Sequence, residues 1–93
     1  MSFLLIQACS FVEPIPGSES VMFISKVEDC KKLGHTTVSV LNEIAYIERS
    51  KEAMLDELTI LAKNAAIKMN GNAIKPTSEI VKGGRDYDIY FCP

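Results

Sequence analysis

The chain has no tryptophan, one histidine, five glycines and three cysteines among its 93 residues. Each scarcity closes off a class of function. His35 with Cys30 and Cys92, lacking any CxxC or His-x3-His spacing, makes an incomplete zinc set. The lysines and arginines stand singly except for Lys31-Lys32, and the net charge is −2. No basic stripe follows a phosphate backbone, so nucleic-acid binding is not expected. No stretch approaches the roughly 20 apolar residues of a spanning helix, and there is no internal repeat. Gly83-Gly84-Arg85 leads into an alternating pattern, not a helix, which removes the phosphate-loop reading. No cofactor fingerprint is present and no cofactor is expected. What remains, 47% apolar and 24% charged, is the composition of a single domain with one small core.

The first ten residues stand out from that background. Phe3-Leu4-Leu5-Ile6-Gln7-Ala8-Cys9-Ser10 is an apolar run closing on a small residue and a cysteine. It resembles the second half of a bacterial lipoprotein signal peptide, with Ile6 as the aliphatic residue three before the cysteine and Ala8 as the small residue beside it; Gln7 is a looser match. On this reading the Cys9 thiol is lipidated and anchors the protein to a membrane. Only Met1 and Ser2 precede the run, too few for a basic leader, so the reading expects a longer precursor. Ser10 and Phe11 follow the cysteine without an inner-membrane aspartate signal, which points to the outer membrane. The plainer alternative is a short strand or a frayed tail. Phe11 to Ser20, with Pro14, Pro16, Gly17 and two serines, then reads as a tether that packs as no element. Residues 1–20 are thus a partial signal and tether, and 21–93 a single domain.

Val21-Met22-Phe23-Ile24 is a continuous apolar run, the signature of a buried strand. Val27 to Gly34 is polar and ends in glycine, predicting a turn that closes a hairpin. The next stretch alternates, Thr36, Val38 and Val40 on one face and Thr37, Ser39 and Leu41 on the other. Asn42 to Arg49 gives no clear signal. From Ser50, a suitable N-cap, the period changes: Leu55, Leu58, Leu61, Ala62, Ala65 and Met69 form an apolar stripe, with Leu58, Leu61 and Ala65 expected to face the sheet. The helix is predicted from about Lys51 to Met69 and ends at Asn70-Gly71, residues that tolerate a left-handed backbone. Ala73 and Ile74 open a third strand, which Pro76 confines to an edge or bulge. Gly83-Gly84 signals a hairpin turn, and Tyr87, Ile89 and Phe91 alternate with Asp88, Tyr90 and Cys92 in the fourth strand. The order β-β-α-β-β with one amphipathic helix predicts a two-layer α+β sandwich.

Pro16-Gly17, Val21, the run Cys30-Lys31-Lys32-Leu33-Gly34, Ala65-Ala66 leading into Asn70-Gly71-Asn72-Ala73-Ile74, and the closing Tyr90-Phe91-Cys92 together resemble a family of small bacterial lipoproteins described mainly as a domain of unknown function. That family is similar to the outer-membrane stress-sensor lipoprotein of the Rcs pathway. Where that sensor has two disulfides, this chain can form only one. The resemblance and the lipobox both imply export to an oxidising periplasm, and there Cys30 and Cys92, the pair left once Cys9 carries lipid, are expected to form a disulfide.

Two functions follow from these readings. The first is a non-enzymatic envelope lipoprotein, membrane-anchored, that binds another envelope protein or takes part in stress signalling. Its contact surface would be the sheet face the helix leaves open, with Asp88 and Arg85 and with Tyr90 as the exposed anchor, although the parity of Tyr90 could equally bury it near Cys92. The second is a small thiol- or metal-binding protein or enzyme using Cys30, Cys92 and His35, although nothing marks an oxyanion hole or an orienting group. Asp86 and Asp88, either side of Tyr87, and the helical pair Asp56-Glu57 read as solvated acids.

Overall fold

The computed structural model describes residues 13–40, 43–44, 47–48 and 50–93. Cys9, the expected lipidation site, and the apolar run before it lie outside them. Three short strands and a long one precede the helix: β1 (Met22–Phe23), β2 (Lys31–Ser39) and the small pair β3 (Glu43–Ile44) and β4 (Ile47–Glu48), which form their own two-stranded sheet. The helix α1 (Lys51–Lys68) is followed by β5 (Ala73–Pro76) and β6 (Gly84–Phe91). The main sheet has the order β1-β5-β6-β2, with β1 parallel to β5 and the other pairs antiparallel. It is the α+β arrangement expected, one helix on a small sheet, with two of the sheet's strands before the helix and two after.

Ser50 caps α1, its hydroxyl accepting from the Ala53 amide at 3.1 Å. At the other end Gly71 N donates to Ala66 O and Asn70 N to Ile67 O, a Schellman closure that satisfies the last carbonyls. Asn70 takes the left-handed conformation at φ 64°. Gly71 is needed for a different reason. A Cβ there would lie 2.7 Å from Ile89 Cγ2 and 2.9 Å from the Tyr90 carbonyl oxygen, so the chain can pass over β6 only without a side chain.

The helix turns Leu58, Ala62 and Ala66 fully inward, while Leu61 and Ala65 are only half-buried. The stripe is therefore centred on an i, i+4, i+8 row instead of the Leu58, Leu61, Ala65 row expected. The small residues Ala62 and Ala66 let the helix sit close on Val21, Ile74, Tyr87 and Ile89, which complete this core.

Three local expectations are corrected. First, Glu13 to Ser20 packs. Asn64 of α1 accepts from the Ile15 amide at 3.0 Å and donates to the Glu13 carbonyl at 2.9 Å, and Ser18, in a 3-10 turn over Ser18–Ser20, is buried. The side-chain amide answers an extended backbone as a neighbouring strand would, so the stretch is held without apolar periodicity.

Second, β1 and β2 form no hairpin, because they occupy opposite edges of the sheet. The segment between them crosses the open face, bends at Asp29 with φ 67°, and packs Ile24, Val27 and Cys30 on Ala73, Tyr90 and Cys92. Third, Met22 and Phe23 are about half exposed, at 46% and 50%, since β1 is an edge strand.

Pro76 sits where its missing donor costs nothing. The pairing of β1 stops at Ile74, so only β6 faces that part of β5. The turn into β6 falls one residue earlier than expected, with Lys82 and Gly83 both at positive φ and Val81 and Gly84 exchanging backbone hydrogen bonds at 2.9 Å.

Candidate functional site

β6 is an interior strand that sorts the candidate residues between two faces. Tyr87 and Ile89 enter the helix-side core, whereas Asp86, Asp88, Tyr90 and Cys92 alternate onto the open face. The end of the open face under the crossing segment is apolar, and it is there that Tyr90 is found. At 9% exposed it is a buried member of the second core beside Cys92, the second of the two placements its parity allowed and not the exposed anchor, because the segment Ile24 to Cys30 covers it. Cys30 and Cys92 are joined by a disulfide across 62 positions, with their Cα atoms 4.2 Å apart. Asn72 holds the same strand end from the other side, its amide donating to the Cys92 carbonyl and accepting from the Cys92 N–H, each at 2.7 Å.

Beyond Tyr90 the open face turns polar. His35 stands opposite Asp88 in the β2–β6 register and Thr37 opposite Asp86. His35 Nδ1 lies 2.8 Å from Asp88 Oδ1, Lys32 Nζ lies 3.4 Å from Oδ2, and Thr37 Oγ1 donates to Asp86 Oδ1 at 2.8 Å. The hydrogen bond from His35, helped by Lys32, holds the Asp88 carboxyl below its ordinary value of 3.8 against the opposing cost of burial. A carboxylate that orients an imidazole is half of a nucleophile-activating arrangement. The sulfurs that would complete it are bonded to each other, and the described residues contain no cluster of three or more His, Cys, Asp or Glu suited to a metal. Cys30, Cys92 and His35 are thus not assembled as a ligand set or as a nucleophile and base.

Arg85 is separated from Asp88. It lies on the helix side, its Nε donating to the Ser78 carbonyl at 2.9 Å and its guanidinium carbon 5.6 Å from the centre of the Tyr87 ring. Beneath that cation Tyr87 is fully buried, and its hydroxyl has no hydrogen-bond partner among the described residues. Arg85 also borders an open groove whose walls are Phe23 of β1 and Leu55, Asp56, Thr59 and Ile60 of α1. β1 has two residues and β5 four, against eight in β6, and of those two short strands only Phe23 lines the groove. The sequence reading missed this feature. Met22-Phe23 looked like the centre of a buried run, and Ile60 falls beside the apolar stripe; an apolar residue off the stripe was the available signal.

The expected contact surface therefore divides. Asp88 belongs to the open-face polar cluster, Tyr90 to the second core, and Arg85 to the groove on the opposite side. Among family models, the one described as Domain of unknown function (DUF4156) matches residues 12–92. No curated protein and no solved structure matches the chain.

Proposed function

Since the chain belongs to the family described as a domain of unknown function (DUF4156), we propose from its own residues that it is a non-enzymatic lipoprotein of the bacterial cell envelope, working through contacts with another envelope protein. The observation that carries this reading is the Cys30–Cys92 disulfide. Structural disulfides persist in oxidising compartments and are rare where glutathione keeps thiols reduced. The Ile6-Gln7-Ala8-Cys9 sequence supplies a route to that compartment and a residue to anchor. Asn64 fixes the chain as early as Glu13, four positions after Cys9. Four Cα–Cα steps reach at most about 15 Å, so lipid on Cys9 would hold the folded domain close to the membrane. A role in envelope stress signalling is supported by the resemblance of Pro16 to Cys92 to small bacterial lipoproteins that are themselves similar to the Rcs-pathway stress sensor, and an outer-membrane location by the residues after Cys9.

The test is fractionation of cells expressing the gene with its natural upstream sequence. Intact-mass analysis of the membrane fraction should show a diacylglyceryl group on Cys9, and Cys9→Ser should move the protein to the soluble periplasm. Unmodified protein in the cytosol with free Cys30 and Cys92 would refute the reading.

A further inference from the structure

We infer that the outer edge of β1 and the adjoining groove form a docking site for an extended peptide segment of another protein, which adds a strand beside Phe23 and seats an apolar side chain against Ile60 and Leu55. This deepens the reading of the domain as an interaction module and rests on it. Three observations converge on that occupant.

The first is backbone chemistry. Met22 N donates to the Asn72 carbonyl at 2.9 Å and Ile24 N to the Ile74 carbonyl at 2.8 Å, so both residues face β5. A strand's backbone groups alternate in direction. The N–H and C=O of Phe23, between them, therefore point away from the sheet, at an edge where no other strand of the described residues follows. An outward donor and acceptor on one residue is the template for strand addition.

The second is side-chain character. Sheet edges are commonly blunted by charge, proline or a bulge. β1 instead presents Met22 and Phe23 at 46% and 50% exposure. The far edge, β2, carries Lys31, Lys32 and a register shift between Lys32 and Gly34, which are such protections. The two edges differ in a way that leaves β1 receptive.

The third is the groove itself. Phe23, Leu55 and Ile60 offer apolar wall, and Arg85 and Asp56 place opposite charges on its border. Asp56 has no ion pair among the described residues. A segment with an apolar residue between a basic and an acidic one answers every group present. An acyl chain would leave the Phe23 amide and the Asp56 carboxylate without partners.

The experiment titrates the oxidised, unlipidated full chain with acetyl-Lys-Val-Phe-Val-Glu-amide, followed by NMR. Saturable shifts at Phe23, Leu55 and Ile60 are expected, together with slowed exchange of the Phe23 amide proton. Ile60→Asp should weaken binding at least roughly tenfold while keeping the dispersed spectrum of the folded domain, since Ile60 is only part-buried. A probe N-methylated along its backbone should lose binding. No saturable change up to about 1 mM, the weak end of specific recognition, would overturn the proposal, as would equal binding to Ile60→Asp or of the N-methylated probe. Two other occupants have their own signatures. Concentration-dependent shifts without probe would assign the edge to a second copy of the chain, and binding seen only after deletion of residues 2–12 would assign it to the chain's own N-terminal segment; either overturns the proposal. Because the protein is unlipidated, failure here leaves the anchor reading untouched, and failure to find lipid on Cys9 leaves this one untouched.

Discussion

Tyr87 contributes to the core through its ring and not through its hydroxyl. The ring is fully buried against the helix with the Arg85 guanidinium above it, while the buried hydroxyl lacks a partner among the described residues. An unsatisfied buried polar atom costs about 1–3 kcal/mol. Tyr87→Phe removes that atom and keeps the ring, so chemical denaturation should give a stability equal to or up to about 1 kcal/mol above that of the parent; a clear loss would mean that the hydroxyl is paired. Asp88 behaves in the opposite sense, because its charge is answered, first by His35 and then by Lys32. Its carboxyl titrates below 3.8 in the folded protein, so the folded state favours the ionised form. That stabilisation is complete above the unfolded value and disappears as pH falls through the lowered folded value. Melting temperatures measured from about pH 5 down to pH 2 should therefore fall less steeply for Asp88→Asn than for the parent. Parallel slopes would remove Asp88 from the acid response.

At the scale of elements, α1 shows what the sequence made legible and where it stopped. The N-cap at Ser50, the boundaries and the left-handed exit at Asn70 all follow from local chemistry, and the structure agrees with each. The facing of the helix is off by a fraction of a turn. The apolar stripe is wide enough to centre on either Leu61 or Ala62, and only the position of Tyr87 and Ile89 on the sheet selects the alanine row. The docking of Glu13 to Ile15 on Asn64 was illegible for a related reason: a buried asparagine that replaces a strand rung leaves no hydrophobic period to read. Two substitutions separate packing from propensity. Leu58→Ala should cost about 2–5 kcal/mol in denaturant unfolding, the usual range for emptying a fully buried site. Gly71→Ala is predicted to be destabilising even though alanine is the better helix former, since its Cβ would press on Ile89 and the Tyr90 carbonyl where little can yield. A Gly71→Ala protein as stable as the parent would show that the chain over β6 relaxes.

The whole molecule is organised by one long crossing. With β1 and β2 at opposite edges, the segment from Ile24 to Cys30 must traverse the open face of the sheet, and this topology buries Tyr90 and brings Cys30 to Cys92. Alternation within each strand predicted the two faces of β2 and β6 well, but strand order depends on contacts far apart in sequence, which no local pattern encodes. The candidate surface of Tyr90, Arg85 and Asp88 divides at that step, since the crossing segment covers Tyr90. The disulfide fastens the crossing at its far end and closes a loop of 62 positions. On the chain-entropy account such a closure stabilises by about 4 kcal/mol. For a domain of this size each kcal/mol shifts the melting temperature by roughly 4–8 °C, so replacing both Cys30 and Cys92 with alanine should lower it by roughly 15–30 °C. The helix-side core contains neither cysteine, and hydrogen exchange should divide accordingly. Amides in the crossing segment and around Tyr90 should lose protection first, while those beneath Leu58, Ala62 and Ile74 keep theirs in proportion to the remaining global stability. Uniform loss across both cores would instead mean that the two faces of the sheet unfold as one cooperative unit, with the disulfide acting on the unfolded chain alone.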